Sequence, residues 1–201
     1  MKNTNMKFTI LILIIIILIV LFCKNDTLEN YAVYRESMYN SNMYKVQEYN
    51  KNSQDAANLL GKINIFIKKI KDHLMKKYPD DKRVTRMNNR LREIELIEPE
   101  HKNDESAYTI NKGELMALCL RKKDNKEFYD MEMMSFVVIH ELAHVMTISE
   151  GHTPEFMENF RFILKEAENA ELYEPINYSF NPTNYCGVDV THNPFFNHQN
   201  N

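Results

Sequence analysis

The sequence predicts an α+β fold, with an N-terminal transmembrane helix followed by a small domain in which a short sheet or hairpin packs on helices. Three features support this. Residues 8–23 are almost wholly apolar, helical periodicity recurs from residue 53 onward, and an Asn-Lys-Gly turn separates two short apolar runs near residue 112. We therefore expect a membrane anchor over 1–24, a linker or stalk over 25–52 and a folded domain over 53–201.

The apolar segment 8–23 (FTILILIIIILIVLFC) is a candidate signal anchor, flanked by Lys7 and Lys24. At 1.5 Å per residue it falls short of a bilayer core of about 30 Å, but local thinning and the flanking lysines can offset the deficit. A cleaved signal peptide and a buried core segment are alternatives, although no small-x-small cleavage site follows. The positive charges before the segment weakly place the amino terminus in the cytosol and the domain across the membrane. The expected localisation is therefore a single-pass membrane protein.

Charge and cysteine content give weaker indications about binding partners and about the cellular compartment. The 25 basic and 28 acidic residues nearly balance, which argues against a strongly basic nucleic-acid binder. Of the three cysteines, Cys119 and Cys186 could pair in an oxidising lumen or remain buried thiols, while Cys23 adjoins the membrane segment.

The region from 25 to 78 contains a polar part and then an amphipathic part. Residues 25–52 are polar, with scattered Tyr and Met and no sustained period, which predicts a linker; a short helix packing Tyr44 and Val46 on the domain is the alternative. From 53 to 78, apolar residues recur at helical spacing, so we predict a helix that ends before Pro79. A short basic helix or turn follows at 82–92.

Two apolar runs, 106–110 and 114–121, flank the Asn-Lys-Gly turn and predict a β-hairpin. We expect this hairpin to end the sheet beside the next helix. An edge strand in that position could pair with an extended substrate peptide.

The next helix, predicted at about 131–150, carries His140-Glu141-Leu142-Ala143-His144. At 100° per residue its two histidines lie about 40° apart on one face, where two neutral imidazoles can bind one Zn²⁺. Glu141 is too far round the helix to be a co-planar ligand, so its carboxylate is free to take a proton from a metal-bound water. A chance match is the alternative, but the apolar run before the motif indicates a core helix, which would not normally carry such polar groups without partners.

A third ligand candidate follows directly. Gly151 is a suitable helix C-cap, and His152 then lies in a loop before Thr153 and Pro154, which are typical of the start of a new helix. Three histidines with an open fourth position are typical of a catalytic zinc site. An exposed loop histidine without a metal role is the alternative for His152.

These residues resemble a known group of enzymes. HELAH at 140–144 with GHTPEF at 151–156 is similar to the zinc metallopeptidases of the WLM and SprT-like families, over roughly residues 106–167. The resemblance implies a zincin-like metallopeptidase domain acting on a protein or peptide substrate. It assigns His140, His144 and His152 as Zn²⁺ ligands and Glu141 as the catalytic base. The metzincin pattern H-E-x-x-H-x-x-G-x-x-H does not fit, because Thr147 occupies its Gly position.

The principal hypothesis is therefore a membrane-anchored zinc-dependent endopeptidase. Two alternatives stay open: a non-catalytic zinc-stabilised membrane protein whose site is closed by a fourth ligand such as Cys186, and a WLM/SprT-like protease acting on DNA-bound proteins. In the tail after residue 171, Tyr178, Tyr185 and His192 are candidates for an oxyanion donor or, more simply, for ordinary packing.

Overall fold

The computed structural model describes residues 12, 14–17, 31–49, 52–100 and 106–196. The chain forms two compact units, 1–31 and 32–201. The strands are β1 (Tyr31–Glu36), β2 (Met43–Glu48), β3 (Glu95–Ile97), β4 (Ala107–Ile110), β5 (Leu115–Leu118), β6 (Thr183–Tyr185) and β7 (Val188–Val190). The helices are α1 (Ser53–Lys77), α2 (Lys82–Arg90), α3 (Met131–Met146) and α4 (Pro154–Asn169), with a 3₁₀ turn at Pro194–Phe196.

The expected membrane anchor is not supported. Within the part of the chain that the structure describes, no helix combines the length and the apolar character needed to cross a bilayer. A spanning helix needs about 20 apolar residues, whereas the described part of segment 8–23 is residue 12 and residues 14–17. The predicted transmembrane helix, the membrane partner at 8–23 and the single-pass localisation are therefore wrong by this finding; the other residues of the segment lie outside the described ones.

The region predicted as a linker over 25–52 contains β1 and β2, two neighbouring strands of a five-stranded sheet. Tyr44 and Val46, which the alternative interpretation packed on the domain from a helix, do pack there but from strand β2, and both are buried. The folded unit therefore begins well before residue 53.

The sheet has the strand order β1-β2-β3-β5-β4. Strand β2 runs parallel to β3, which runs parallel to β5, while β4 is antiparallel to β5. A parallel neighbour needs a long crossover connection, and α1 and α2 supply it between β2 and β3. The predicted hairpin is confirmed as β4 and β5, with Asn111 and Lys112 in the left-handed conformation of its turn. Strand β4 is consequently at the edge of the sheet.

Helix α3 lies in the apolar core, with all of its residues from Met133 to Ile139 buried. Its N-cap is Asp130, whose side chain accepts a hydrogen bond from the Met133 backbone N–H at 2.8 Å. It ends at Met146, not near Glu150 as predicted, and Gly151 adopts a left-handed φ of 75° within the following loop, not at the helix end.

A two-stranded ribbon, β6 and β7, lies near the end of the described chain. Its turn contains Cys186, which forms a disulfide with Cys119, the residue after β5. Pairing is thus the outcome for these two cysteines, and it fastens the ribbon to the main sheet.

Candidate active site

The three predicted histidines come together. The Nε2 atoms of His140 and His144 are 3.2 Å apart, those of His144 and His152 are 3.2 Å apart, and those of His152 and His140 are 3.1 Å apart. His140 and His144 lie one turn apart on α3 and are partly buried, whereas His152 reaches them from the exposed loop after the helix. Three ring nitrogens therefore converge on one point.

This triangle fits a shared metal ion better than it fits hydrogen bonding. Ligand nitrogens around tetrahedral zinc, with Zn–N distances of 2.0–2.1 Å, are about 3.3–3.4 Å apart, close to the observed separations. A protonated Nε2 has no lone pair with which to accept, so the three nitrogens cannot all be satisfied by one another. Burial, with the neighbouring imidazoles, lowers the pKa of His140 to about 3, and burial lowers that of His144 to about 4. Both rings are therefore neutral and able to act as ligands.

Two phenylalanine rings of helix α4 pack against the imidazole rings of His140 and His144. The Phe156 ring stacks on His144 at 4.3 Å between centroids and lies 4.9 Å from the His140 ring. Phe160 contacts His140 from the next turn of the same helix, at 5.2 Å. These contacts restrict ring rotation and exclude water from one side of the cluster.

Glu141 is buried, with 4% of its surface exposed. Its Oε2 accepts a hydrogen bond of 2.7 Å from the Thr109 hydroxyl on β4. Burial raises the pKa of Glu141 to about 7, although the Thr109 hydrogen bond opposes the rise. A carboxyl group in this state can both take up and release a proton near neutral pH.

A cleft of 760 Å³ contains the cluster and Glu141. One side is formed by β4 with Tyr108 and Thr109, and the rim includes Lys112. The remaining wall is mostly apolar and comes from α3 and the β6–β7 ribbon: Phe136, Val137, Tyr185, Val188 and Val190. The arrangement is suited to a substrate with an extended backbone and an apolar side chain.

None of the three oxyanion candidates from the tail presents a free donor in the cleft. Tyr185 lines the cleft, but its hydroxyl donates to the Cys119 carbonyl at 3.0 Å. Tyr178 is buried against Phe136, and His192 is exposed; neither lines the cleft.

Sequence reasoning missed Thr109 and Lys112. A hydroxyl on a predicted edge strand beside the motif helix was the available signal for Thr109. Lys112 lies in the predicted turn, and its Nζ donates to the Ser149 carbonyl at 2.7 Å across the cleft rim. Neither contact has a sequence spacing that would reveal it.

A family model and several known proteins are similar to this chain. Residues 39–189 match the WLM domain model. The chain is 30% identical over 192 residues to an uncharacterized protein of Acanthamoeba polyphaga mimivirus, covering 94% of this chain and 96% of that protein. It is 39% identical over 72 residues to an uncharacterized protein of Invertebrate iridescent virus 3, covering 36% and 45% of the two chains.

Among solved structures, Wss1 from Saccharomyces cerevisiae is similar with a TM-score of 0.48 and 22% identity, covering 63% of this chain and 87% of that one. The family match extends over most of the chain, and the mimivirus relative matches nearly end to end. The resemblance to the WLM group is therefore confirmed, and the chain belongs to the WLM domain family, a metalloprotease family.

Proposed function

We propose that this chain is a zinc-dependent metallopeptidase that hydrolyses peptide bonds in protein or peptide substrates. His140, His144 and His152 would hold the metal, and Glu141 would act as the general base. The observation that carries the proposal is the convergence of three Nε2 atoms, 3.1–3.2 Å apart, next to a buried carboxylate in one cleft. When bound, zinc would supply a Lewis acid for the scissile carbonyl and would acidify the attacking water.

Glu141 has the properties that proton transfer requires. Burial raises the pKa of Glu141 to about 7 in the absence of a metal ion, and a carboxylate made more basic in this way would accept the proton of the attacking water and return it to the leaving amine. Thr109 fixes one carboxylate oxygen, so the group does not need to reorient during the reaction. Because Glu141 is buried, its charge acts in an environment where bulk water screens it weakly.

The edge strand β4 supports an extended binding mode for the substrate. Strand β4 ends the described sheet, and its residues Ala107 to Thr109 line the cleft. The outward backbone N–H and C=O groups of an edge strand can pair with an extended peptide. The apolar wall formed by Phe136, Val137, Val188 and Val190 would then receive an apolar substrate side chain.

The zinc-stabilised, non-catalytic alternative is less well supported. It expected a fourth protein ligand such as Cys186, but Cys186 is bonded to Cys119 and buried. Among the described residues, the metal-ligating group at this place consists of the three histidines alone. An open coordination position is typical of catalytic zinc.

The test is Glu141→Gln in the full chain. We expect the variant to bind zinc as the wild type does and to lose about 10²–10⁴-fold in turnover of an unstructured protein substrate, because the general base is gone. Glu132→Gln, an exposed change in the first turn of the same helix, is the matched control and should keep wild-type activity. Cleavage by Glu141→Gln at the wild-type rate would exclude the mechanism, and a wild type that binds no zinc would exclude the proposal as a whole.

A further inference from the structure

The third histidine is held differently from the other two. His140 and His144 are fixed by their helix, but His152 lies in the connection between α3 and α4, residues 147–153, which we name the ligand loop. His152, Gly151 and Ile148 are exposed. Thr147, at the start of the loop, is fully buried, but burial does not fix the part of the loop that contains His152. Something else must hold His152 near its two partners.

Glu155, in the first turn of α4, reaches back to the start of the ligand loop. Its Oε1 accepts a hydrogen bond from the Ile148 backbone N–H at 2.9 Å. Its Oε2 accepts from the Ser149 backbone N–H at 3.1 Å and from the Ser149 hydroxyl at 2.8 Å. The Ser149 Oγ is in turn 2.6 Å from Thr153 Oγ1. One carboxylate thus joins both ends of the loop that contains His152.

These contacts are more than helix capping. In a capping box, the carboxylate belongs to the third helical residue and accepts from the N-cap backbone N–H. Glu155 is the second residue of α4, after the N-cap Thr153, and its backbone partners lie six and seven residues earlier in the chain. These hydrogen bonds lower the pKa of Glu155 to about 2, and the largest effect comes from the Ile148 backbone N–H, followed by the Ser149 backbone N–H. The carboxylate therefore stays charged.

Two arginines of α2 fix the beginning of the same loop. Arg90 donates to the carbonyls of Val145 and Thr147 at 2.6 and 3.0 Å, and Arg86 donates to the carbonyl of Met146 at 2.7 Å. The last carbonyls of a helix have no partner within the helix, so these guanidinium groups satisfy them and define where α3 stops. The loop is thereby anchored from both α2 and α4.

We propose that Glu155, assisted by Arg86 and Arg90, is a positioning residue that preorganises His152 and so sets the affinity of the metal site. The inference rests on the ligand assignment in the proposed function, but not on peptidase activity. A ligand on a loose loop must lose conformational freedom when the metal binds. The hydrogen bonds to Glu155 remove that freedom in advance, and the binding free energy of the metal is then not spent on ordering the loop.

The experiment measures the zinc dissociation constant of the metal-stripped full chain by competition with a chelator. We expect about 10-fold weaker binding for the isosteric Glu155→Gln and up to about 100-fold weaker binding for Glu155→Ala, the range typical of residues that support metal ligands. Ser149→Ala removes one donor to the same carboxylate and should weaken binding less than Glu155→Gln. Glu158→Gln changes an exposed carboxylate of the same helix, with 75% of its side chain accessible, and should bind zinc normally.

A double-mutant cycle separates positioning from general stability. In a His152→Ala background, Glu155→Gln should cause no further loss of zinc affinity, because the ligand through which it acts is absent. A loss of the same size in both backgrounds, or wild-type affinity in Glu155→Ala, would overturn the proposal. Circular dichroism of each metal-free variant shows whether it is folded, and Ser149→Ala gives the same comparison should the Glu155 variants fail to fold.

The experiments distinguish failure of the positioning role of Glu155 from failure of the proposed peptidase function. If the zinc affinities follow this pattern but no protein is cleaved, the peptidase proposal fails and the positioning role stands. If the chain is a peptidase whose zinc affinity does not depend on Glu155, the positioning role fails and the peptidase proposal stands. At saturating zinc, kcat of Glu155→Gln should return close to the wild-type value, because Glu155 does not line the cleft.

Discussion

The hydrogen bond between Thr109 and Glu141 joins the edge strand to the motif helix at the point where chemistry is proposed. Thr109→Val keeps the size and the strand preference of the side chain but removes the hydroxyl. Because a hydrogen bond to a charged group contributes about 1.5–3 kcal/mol, we expect kcat to fall by about tenfold or more, with the zinc content unchanged. Steady-state kinetics on a peptide substrate, with metal analysis, measures both quantities.

Thr109→Ser is the matched control, since it retains the hydroxyl, and its kcat should stay near that of the wild type. A Val variant with unchanged kcat would show that Glu141 does not need this contact. A change in KM alone would assign Thr109 to substrate binding.

The lowered pKa of Glu155 also predicts a pH dependence of the folding stability. Its folded-state pKa, about 2, lies below the ordinary value of 4.5, so its hydrogen bonds stabilise the fold fully above about pH 4.5. That contribution is lost as the pH falls from about 4.5 towards 2. We therefore expect the difference in unfolding free energy between wild type and Glu155→Gln to shrink over this interval, as urea denaturation of the metal-free proteins can measure. A difference that stayed constant across the interval would contradict the lowered pKa.

At the residue level, the sequence predicted those site residues whose side-chain chemistry comes with a characteristic spacing along the chain. The distance of four residues between His140 and His144 follows from helical geometry, and a helix start just after His152 limits where that side chain can go. The partners of Glu141 and Glu155 were not predictable in the same way. Thr109 is 32 residues from Glu141, and such contacts depend on how elements pack.

The β6–β7 ribbon is the element whose attachment shapes the apolar wall of the cleft. Its residues Tyr185, Val188 and Val190 line the cleft, and the Cys119–Cys186 disulfide fastens its turn. Replacing both cysteines by alanine should lower the unfolding free energy by about 2–4 kcal/mol, because the unfolded chain regains the freedom of a long loop. It should also raise KM more than it lowers kcat, since in the proposed function this wall would contact the substrate side chain and not the reacting atoms.

Denaturant unfolding of the metal-free protein, with and without a dithiol reductant, provides the check. Reduction should destabilise the wild type by a similar amount and leave the double variant unchanged. If reduction leaves wild-type stability and KM as they were, the disulfide does not hold the ribbon in place.

Elements with a strong local signal were predicted well, and those that depend on distant partners were not. Helix α1 was found from its apolar periodicity, and the β4–β5 hairpin from its turn. Strands β1 and β2 were missed, because their polar sequence becomes half-buried only through α1 and β3. The end of α3 was misplaced because Arg86 and Arg90 of another helix satisfy its last carbonyls.

At the scale of the whole molecule, the proposed metal site lies at the margin of an apolar core, and that core is complete without a metal ion. Helix α3 packs against strand β4 and helix α4. Many of its side chains have no exposed surface, among them Met134, Val138, Ile139 and Leu142. His152, in contrast, is exposed. Hydrophobic burial of this kind stabilises a domain independently of a bound ion.

We therefore expect removal of zinc from the full chain to leave it folded. Chelation should abolish peptidase activity while the far-ultraviolet circular dichroism stays unchanged, and Tm should fall by about 5–10 °C, because zinc at 100 times its Kd contributes about 2.7 kcal/mol. Restoring zinc should recover both activity and Tm. His152→Ala should show the lower Tm whether or not zinc is added. Complete unfolding on chelation would instead favour a structural metal, and with it the non-catalytic interpretation, because only an ion that holds the fold together would be indispensable to it.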